Sequence, residues 1–136
     1  MELPQRDKTD RYTRAGEYRE LERSLRRNPR GSELAILLIY AFDFRTRVGP
    51  FLFIDMRMIP GGPPAVASAL HAAGFQKLRV VLQQWNPNVL PSHSRVDGRR
   101  PDVLLVSSMH IHSASAYRLI ADAYRLGEER PLILAG

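Results

Sequence analysis

Apolar runs of strand length alternate with amphipathic helical segments along most of the chain. Residues 34–42, LAILLIYAF, form a continuous apolar run, which is typical of a strand buried on both faces of a parallel sheet. Further apolar runs predict strands over 77–85, 102–109 and 131–136. With helices between them, this order predicts an α/β fold, a Rossmann-like or flavodoxin-like parallel sheet with helices on both faces.

A first helix is predicted over residues 63–74. Two prolines open it, which suits the first turn of a helix, and Gly74 closes it. Apolar residues at helical spacing predict its buried face, namely Val66, Ala69, Leu70 and Ala73.

A second helix is predicted over residues 114–127, with Ser113 as its N-cap and Gly127 as its end. The same spacing argument predicts a buried stripe for it, formed by Tyr117, Ile120, Ala121 and Tyr124.

The chain divides into a leader and one domain. Residues 1–33 are highly charged and carry apolar residues at helical spacing over about 11–27, so they are interpreted as a solvated leader with one short helix. Residues 34–136 form the α/β domain. Its last strand stops at Gly136 with no helix after it, so we expect a domain truncated after its fourth strand.

Composition narrows the function classes. The 136 residues are enough for one domain, and the absence of cysteine excludes disulfides, thiolate zinc sites and cysteine-bound clusters within this chain. No apolar run reaches the length of a membrane span and the N-terminus is not a secretory signal, so a cytoplasmic location is expected. The net charge of +6 is not gathered into a basic block, so no specific nucleic-acid partner is expected.

Candidate chemistry lies where strands become loops. Ser107 and Ser108 end the third strand, where hydroxyl groups suit a neutral or phosphate-bearing ligand. His110 and His112 follow as H-x-H; if the chain stays extended there, both side chains face one way. A metal would need a third ligand, and none is evident, so no metal site is predicted.

The segment before the first helix is a second candidate. Asp55 and Arg57 precede Gly61 and Gly62, where glycine lets the backbone approach a flat or anionic ligand and the helix N-terminus adds positive charge. The chain lacks G-x-x-x-x-G-K-[ST], a G-x-G-x-x-G after its first strand, and G-x-S-x-G, which lowers the expectation of a nucleotide hydrolase, a dinucleotide enzyme or an α/β-hydrolase.

These residues carry a resemblance. The stretch RPDVLLVSSMHIHSASAYRLIADAYRLGEERPLILAG, residues 100–136, resembles the third strand, helix and fourth strand of the N-terminal cobalamin-binding domain of radical S-adenosylmethionine enzymes. The segment PPAVASALHAAGFQKLRVV resembles the first helix and second strand of that family. The resemblance covers about three quarters of the chain.

The resemblance implies a cofactor and its site. In that family the corrinoid lies across the carboxyl ends of the strands, so Asp55, Arg57, Gly61 and Gly62 would face its lower side. The end of the third strand and the last residue would border its nucleotide tail, namely Ser107, Ser108, His110, His112 and Gly136.

Two departures qualify the resemblance. Related cobalamin domains carry D-x-H-x-x-G, whose histidine binds cobalt, but Arg57 stands at that position and offers no lone pair. The radical step needs three cysteines around an iron–sulfur cluster, and this chain has none. The cluster and S-adenosylmethionine would therefore belong to a missing C-terminal radical domain.

The leading expectation is a domain that binds and positions cobalamin for a radical S-adenosylmethionine-type, often methyl-transferring, protein, without catalysis of its own. The alternative is a cofactor-free flavodoxin-like interaction or signalling domain. For that alternative, Asp43 and Asp55 are the nearby candidates for a phosphoryl-acceptor site, and no lysine follows at a suitable strand.

Overall fold

The computed structural model describes residues 19–20, 23–24, 27, 33–46 and 59–136. Within them lie four strands, β1 (Ile36–Tyr40), β2 (Leu78–Leu82), β3 (Val103–Ser107) and β4 (Leu132–Ala135). Two α-helices connect them, α1 (Gly62–Ala72) between β1 and β2, and α2 (Ser113–Tyr124) between β3 and β4.

All four strands are parallel and form one sheet in the order β2-β1-β3-β4. Leu38 of β1 lies beside Val80 of β2 and Leu105 of β3, which fixes the register across the centre of the sheet. The predicted α/β fold with a parallel sheet is confirmed. The strand order equals the first four positions of the flavodoxin-like order.

The two helices cover opposite faces of the sheet. Alternate residues of a strand point to opposite faces, and Leu37 and Ile39 of β1 join the core that contains Leu119 of α2. Leu38 points the other way and lines the same groove as Val66 of α1. The continuous apolar run of β1 is therefore explained, because all five of its residues are buried between the two layers.

The main core lies under α2. Its buried residues come from the strands, α2 and the loop after β2: Ala35, Leu37, Ile39, Ala41, Val81, Val96, Leu104, Val106, Ala116, Leu119 and Ala123. Small residues at positions 116 and 123 let the helix approach the sheet closely.

The buried stripe predicted for α2 is wrong. Tyr117 is 71% exposed and Tyr124 is 55% exposed, whereas Leu119 is only 1% exposed. Ile120 packs against the core but is only partly buried. The helix turns its aromatic residues outward because two alanines, rather than two bulky rings, fit at its close contact with the sheet. Tyr124 instead packs its ring against the Arg130 guanidinium, 4.8 Å from the ring centroid.

The capping prediction for α2 is also wrong. The helix begins at Ser113 itself, and a 3-10 turn, His110–His112, leads directly into it. The Ser113 amide donates to the His110 carbonyl, so this turn supplies the first backbone hydrogen bond.

The α1 helix is confirmed close to its predicted bounds but is weakly buried. Pro63 is its one buried residue, and Val66, predicted to be buried, is 43% exposed. Gly74 ends the helix with a φ of 101°, a conformation that glycine adopts easily.

Most of the predicted leader helix over 11–27 lies outside the described residues. Its described residues, 19–20, 23–24 and 27, are helical and exposed.

Candidate functional site

The strand order creates a crevice at the carboxyl edge of the sheet, between β1 and β3. The chain leaves β1 toward β2 on one side, and it leaves β3 toward β4 on the other. Ligands of open α/β sheets bind where the connections diverge in this way. The predicted residues at the end of β3 therefore lie beside the expected ligand position of the fold.

Ser107, Ser108 and Gly136 come together at this edge. The Ser107 carbonyl accepts the Ala41 amide at 2.8 Å, which ties the end of β3 to the end of β1. The Ser108 amide donates to the Gly136 carbonyl at 3.2 Å, which ties β3 to the end of β4. Both serines are half-buried. The structure thus brings together three of the predicted site residues, on two adjacent strands.

The two histidines after β3 do not share one direction. Residues 110–112 form a 3-10 turn rather than an extended segment, so His110 is exposed and His112 is 1% exposed. In an extended segment residues two apart share a face, whereas in a 3-10 turn they lie about two-thirds of a turn apart and face different ways. The geometry on which a shared metal would depend is absent here.

His112 is instead buried among the residues that follow β1. Its ring centroid lies 4.4 Å from that of Phe42 and 6.3 Å from that of Tyr40. Its Nδ1 accepts the backbone amide of Asp43 at 3.2 Å. The segment after β3 is therefore attached to the segment after β1, across the crevice.

Asp43 carries a strongly stabilised negative charge. Its carboxylate accepts two N–H groups of the Arg45 guanidinium, at 2.7 and 3.0 Å, and the Arg45 backbone amide at 2.9 Å. These hydrogen bonds lower the pKa of Asp43 from 3.8 to about 2. Because both oxygens are held by Arg45, the carboxylate is poorly placed to act as a base or a phosphoryl acceptor.

Sequence reasoning missed Gln83, which organises the other side of the crevice. The Gln83 side-chain oxygen accepts the Phe42 amide at 3.2 Å and the Ser115 hydroxyl at 2.8 Å. All three residues are buried, so the oxygen joins the ends of β1 and β2 to the first turn of α2. The available signal was a pair of glutamines directly after an apolar strand.

A groove of about 300 Å³ opens at the same edge, on the α1 face of the sheet. Apolar side chains from β1, α1, β3 and β4 line most of it, and Ser107 and Gly136 lie at the strand ends. Its lining includes Leu38, Val66, Leu105, Ser107, Leu134 and Gly136. Such a volume is at the lower end of the usual range for small-molecule pockets, about 300–1,000 Å³.

Gly61 and Gly62 lie at the exposed start of α1. Gly61 is the N-cap with a φ of −67°, and nothing lies within 4 Å of a Cβ added at either glycine. Pro63 and Pro64 follow, and proline carries no N–H group. This N-terminus therefore presents fewer amide donors to an anion than the sequence argument assumed.

Asp55 and Arg57, the other two residues predicted to face the cofactor, lie outside the described residues.

Metal-binding clusters and membrane-spanning helices are both absent from the described part of the chain. No three or more His, Asp, Glu or Cys side chains gather there in an arrangement suited to a metal ion. None of its helices combines the length and apolar character needed to cross a bilayer.

Comparisons with known proteins return nothing. No protein-family model, curated protein or solved structure matches the chain. The geometry of the carboxyl edge and the sequence resemblance therefore provide the basis for a functional proposal.

Proposed function

We propose that this chain binds a cobalamin cofactor across the carboxyl ends of its strands. It would hold and orient the corrinoid as the front domain of a radical S-adenosylmethionine-type protein, in a family that often transfers methyl groups. The observation that carries the proposal is the apolar groove beside Ser107 and Gly136, which opens next to the crevice between β1 and β3.

The groove suits the nucleotide tail of cobalamin, which ends in a flat aromatic base. Val66, Leu105 and Leu134 offer apolar surface to such a base. The Ser107 hydroxyl offers a hydrogen-bonding group for the ribose and phosphate that precede it. The corrin ring itself is too large for this groove and would lie outside it, over the strand ends.

A cobalt ligand from this chain is not part of the proposal. Arg57 stands where related domains have histidine, and a guanidinium has no lone pair to donate. His110 and His112 are separated by the 3-10 turn, and His112 is buried with its Nδ1 on the Asp43 amide. The chain would hold and orient the corrinoid, and the cofactor would supply the organometallic chemistry.

The remaining parts of the reaction would reside in a partner domain. An iron–sulfur cluster needs cysteine ligands, which this chain lacks, and S-adenosylmethionine would be bound together with that cluster. The proposed partners are thus cobalamin and a radical domain, without a membrane or a specific nucleic acid. The proposed location is the cytoplasm.

Titration with hydroxocobalamin tests the proposal. We expect saturable binding, seen as a change in the visible absorption spectrum and as heat in calorimetry. Cobinamide, a corrinoid without the nucleotide tail, separates the two parts of the site. We expect cobinamide to bind at least about tenfold more weakly, because it leaves the groove empty. Absence of both heat and spectral change with hydroxocobalamin overturns the proposal.

One variant tests the groove directly. Leu134→Trp places a large ring in the groove on an exposed strand, so it should weaken cobalamin binding while changing cobinamide binding little. Tyr117→Trp is the control, because it introduces the same tryptophan at an exposed position of α2, away from the groove. If both variants bind cobalamin equally well, the groove is not part of the cobalamin site.

The second candidate function is a cofactor-free interaction domain. It is favoured by Leu132 and Leu134 of β4, which are 63% and 53% exposed. A phosphoryl-acceptor version of this function is disfavoured at Asp43, whose carboxylate Arg45 already holds. Labelling with acetyl phosphate tests the phosphoryl-acceptor version of this function. We expect no phosphorylation of Asp43.

A further inference from the structure

We propose that His112 is a pH-sensitive latch. Its neutral ring holds the segment after β3 against the segment after β1, and its protonation releases that contact. The latch belongs to the fold of the carboxyl edge, so it operates whether or not the crevice takes a cobalamin.

The latch rests on buried contacts of His112 across the crevice. His112 is 1% exposed, and its Nδ1 accepts the backbone amide of Asp43 at 3.2 Å. Phe42 packs against the imidazole, with ring centroids 4.4 Å apart. The 3-10 turn that carries His112 leads directly into α2, so this contact also fixes the start of that helix.

The direction of the hydrogen bond determines the protonation state of the ring. A nitrogen that accepts an N–H group must be unprotonated, so the neutral ring carries its hydrogen on Nε2. A proton on Nδ1 would place two N–H groups against each other. The Asp43 amide would then lose its acceptor within a buried site, which is costly.

Some charged and titratable groups around the His112 ring favour its protonation, and others oppose it. From β1 and its end come Tyr40 and the Asp43 carboxylate, from the following turn comes Arg45, and the turn of His112 itself carries His110. The Asp43 carboxylate attracts a protonated ring, but two guanidinium N–H groups of Arg45 already bind its oxygens. The first α2 residues, 113–115, are serine, alanine and serine and do not titrate.

Acidification should therefore open the crevice at one defined point. The Asp43 amide loses His112 as its acceptor, and the turn at residues 110–112 loses this hydrogen bond to the segment after β1. Loops that line a binding crevice commonly act through local equilibria of this kind.

Nuclear magnetic resonance on the unmodified chain tests the latch. Long-range proton–nitrogen correlations assign the tautomer of each of the four histidines. At pH 7.5 we expect His112 with its hydrogen on Nε2. As the pH falls to 5, the Nδ1 signal and the exchange protection of the Asp43 amide should change together. Protection should fall by up to tenfold for each pH unit, the limit for uptake of one proton.

Two variants separate the latch from general acid sensitivity. His112→Asn keeps an acceptor near the position of Nδ1 but does not titrate, so Asp43 protection should no longer depend on pH. His110→Asn changes the exposed histidine of the same turn and should keep the pH dependence.

Three results would overturn the latch. They are a hydrogen on His112 Nδ1 at pH 7.5, Asp43 protection that stays constant down to pH 5, and a pH dependence that persists in His112→Asn. The first two are measured on the unmodified chain, so they decide the question even where His112→Asn fails to fold.

Discussion

The Ser115 hydroxyl donates to the Gln83 side-chain oxygen at 2.8 Å, which links the first turn of α2 to the end of β2. The same oxygen accepts the Phe42 amide at 3.2 Å. One amide oxygen therefore holds three elements at the carboxyl edge, and both donors depend on it because they are buried.

Loss of Gln83 should destabilise the domain more than loss of Ser115. Gln83→Ala leaves the Phe42 amide and the Ser115 hydroxyl without this acceptor, and each unsatisfied buried group costs about 1–3 kcal/mol. Ser115→Ala leaves the oxygen with the Phe42 amide and should cost about 1 kcal/mol. Urea unfolding followed by circular dichroism measures both values.

The control for this pair is Ser68→Ala, an exposed serine within α1. It makes the same exchange in a helix without a buried hydrogen bond, so its free energy of unfolding should be unchanged or slightly higher. A Ser115→Ala variant as stable as Ser68→Ala would show that the link to Gln83 contributes nothing.

The buried face of α2 can be tested by two truncations. Leu119→Ala removes a side chain that is 1% exposed and should lower the free energy of unfolding by about 2–5 kcal/mol. Tyr117→Ala removes a larger side chain that is 71% exposed and should change it by only about 0.5 kcal/mol. If urea unfolding shows a larger loss of stability for Tyr117→Ala than for Leu119→Ala, the buried face is instead the tyrosine stripe that the sequence predicts.

The sequence predicts the sheet well because the strands are strongly apolar. An unbroken run such as residues 34–42 has few alternatives to a strand buried on both faces, and the four strands appear where such runs occur. Glycine and proline mark the ends of α1 for equally local reasons.

The face of α2 could not be predicted because two apolar stripes compete on the same helix. Side-chain size favours the tyrosines, but the stripe of smaller residues that contains Ala116 and Ala123 has the same helical spacing and is the one that packs on the sheet. Which stripe faces the sheet depends on how closely the helix packs, and spacing alone does not decide it.

The site was only partly predictable for a similar reason. Ser107 and Ser108 follow from their position at the end of a strand, which the sequence shows. The contacts of His112 with Asp43, and of Gln83 with Ser115, join residues 69 and 32 positions apart. Such contacts depend on the strand order, which becomes known only when the sheet is assembled.

Asp43 should make the domain acid-sensitive at low pH. Arg45 lowers the pKa of its carboxyl to about 2 in the folded chain, below the ordinary 3.8. The charged form therefore stabilises the fold above pH 4, and this contribution disappears as the pH falls from 4 toward 2. In Asp43→Asn the slope of the unfolding free energy against pH should be smaller in that window. The decrease should correspond to a difference of less than one bound proton between the folded and unfolded states.

Carboxyl-carbon magnetic resonance of Asp43 checks the cause. In the unmodified chain we expect a titration near pH 2, and in Arg45→Met one nearer the ordinary value. The effect on stability should be modest, because the Arg45 side chain is 75% exposed and water screens its charge. An unchanged Asp43 titration in Arg45→Met would mean that another group lowers this pKa.

The outer strand β4 should make the chain prone to self-association. Among the described residues, β4 pairs with β3 on one side only, and its Leu132 side chain is 63% exposed. An apolar strand with a free edge readily pairs with another chain, and a charged residue on it opposes that pairing. Leu132→Lys should therefore reduce the concentration-dependent association of the chain in sedimentation velocity. Tyr117→Lys is the matched control, because it places the same charge on an exposed apolar site of α2, and it should leave association unchanged. An equal decrease in both variants would assign the effect to net charge rather than to the free edge of β4.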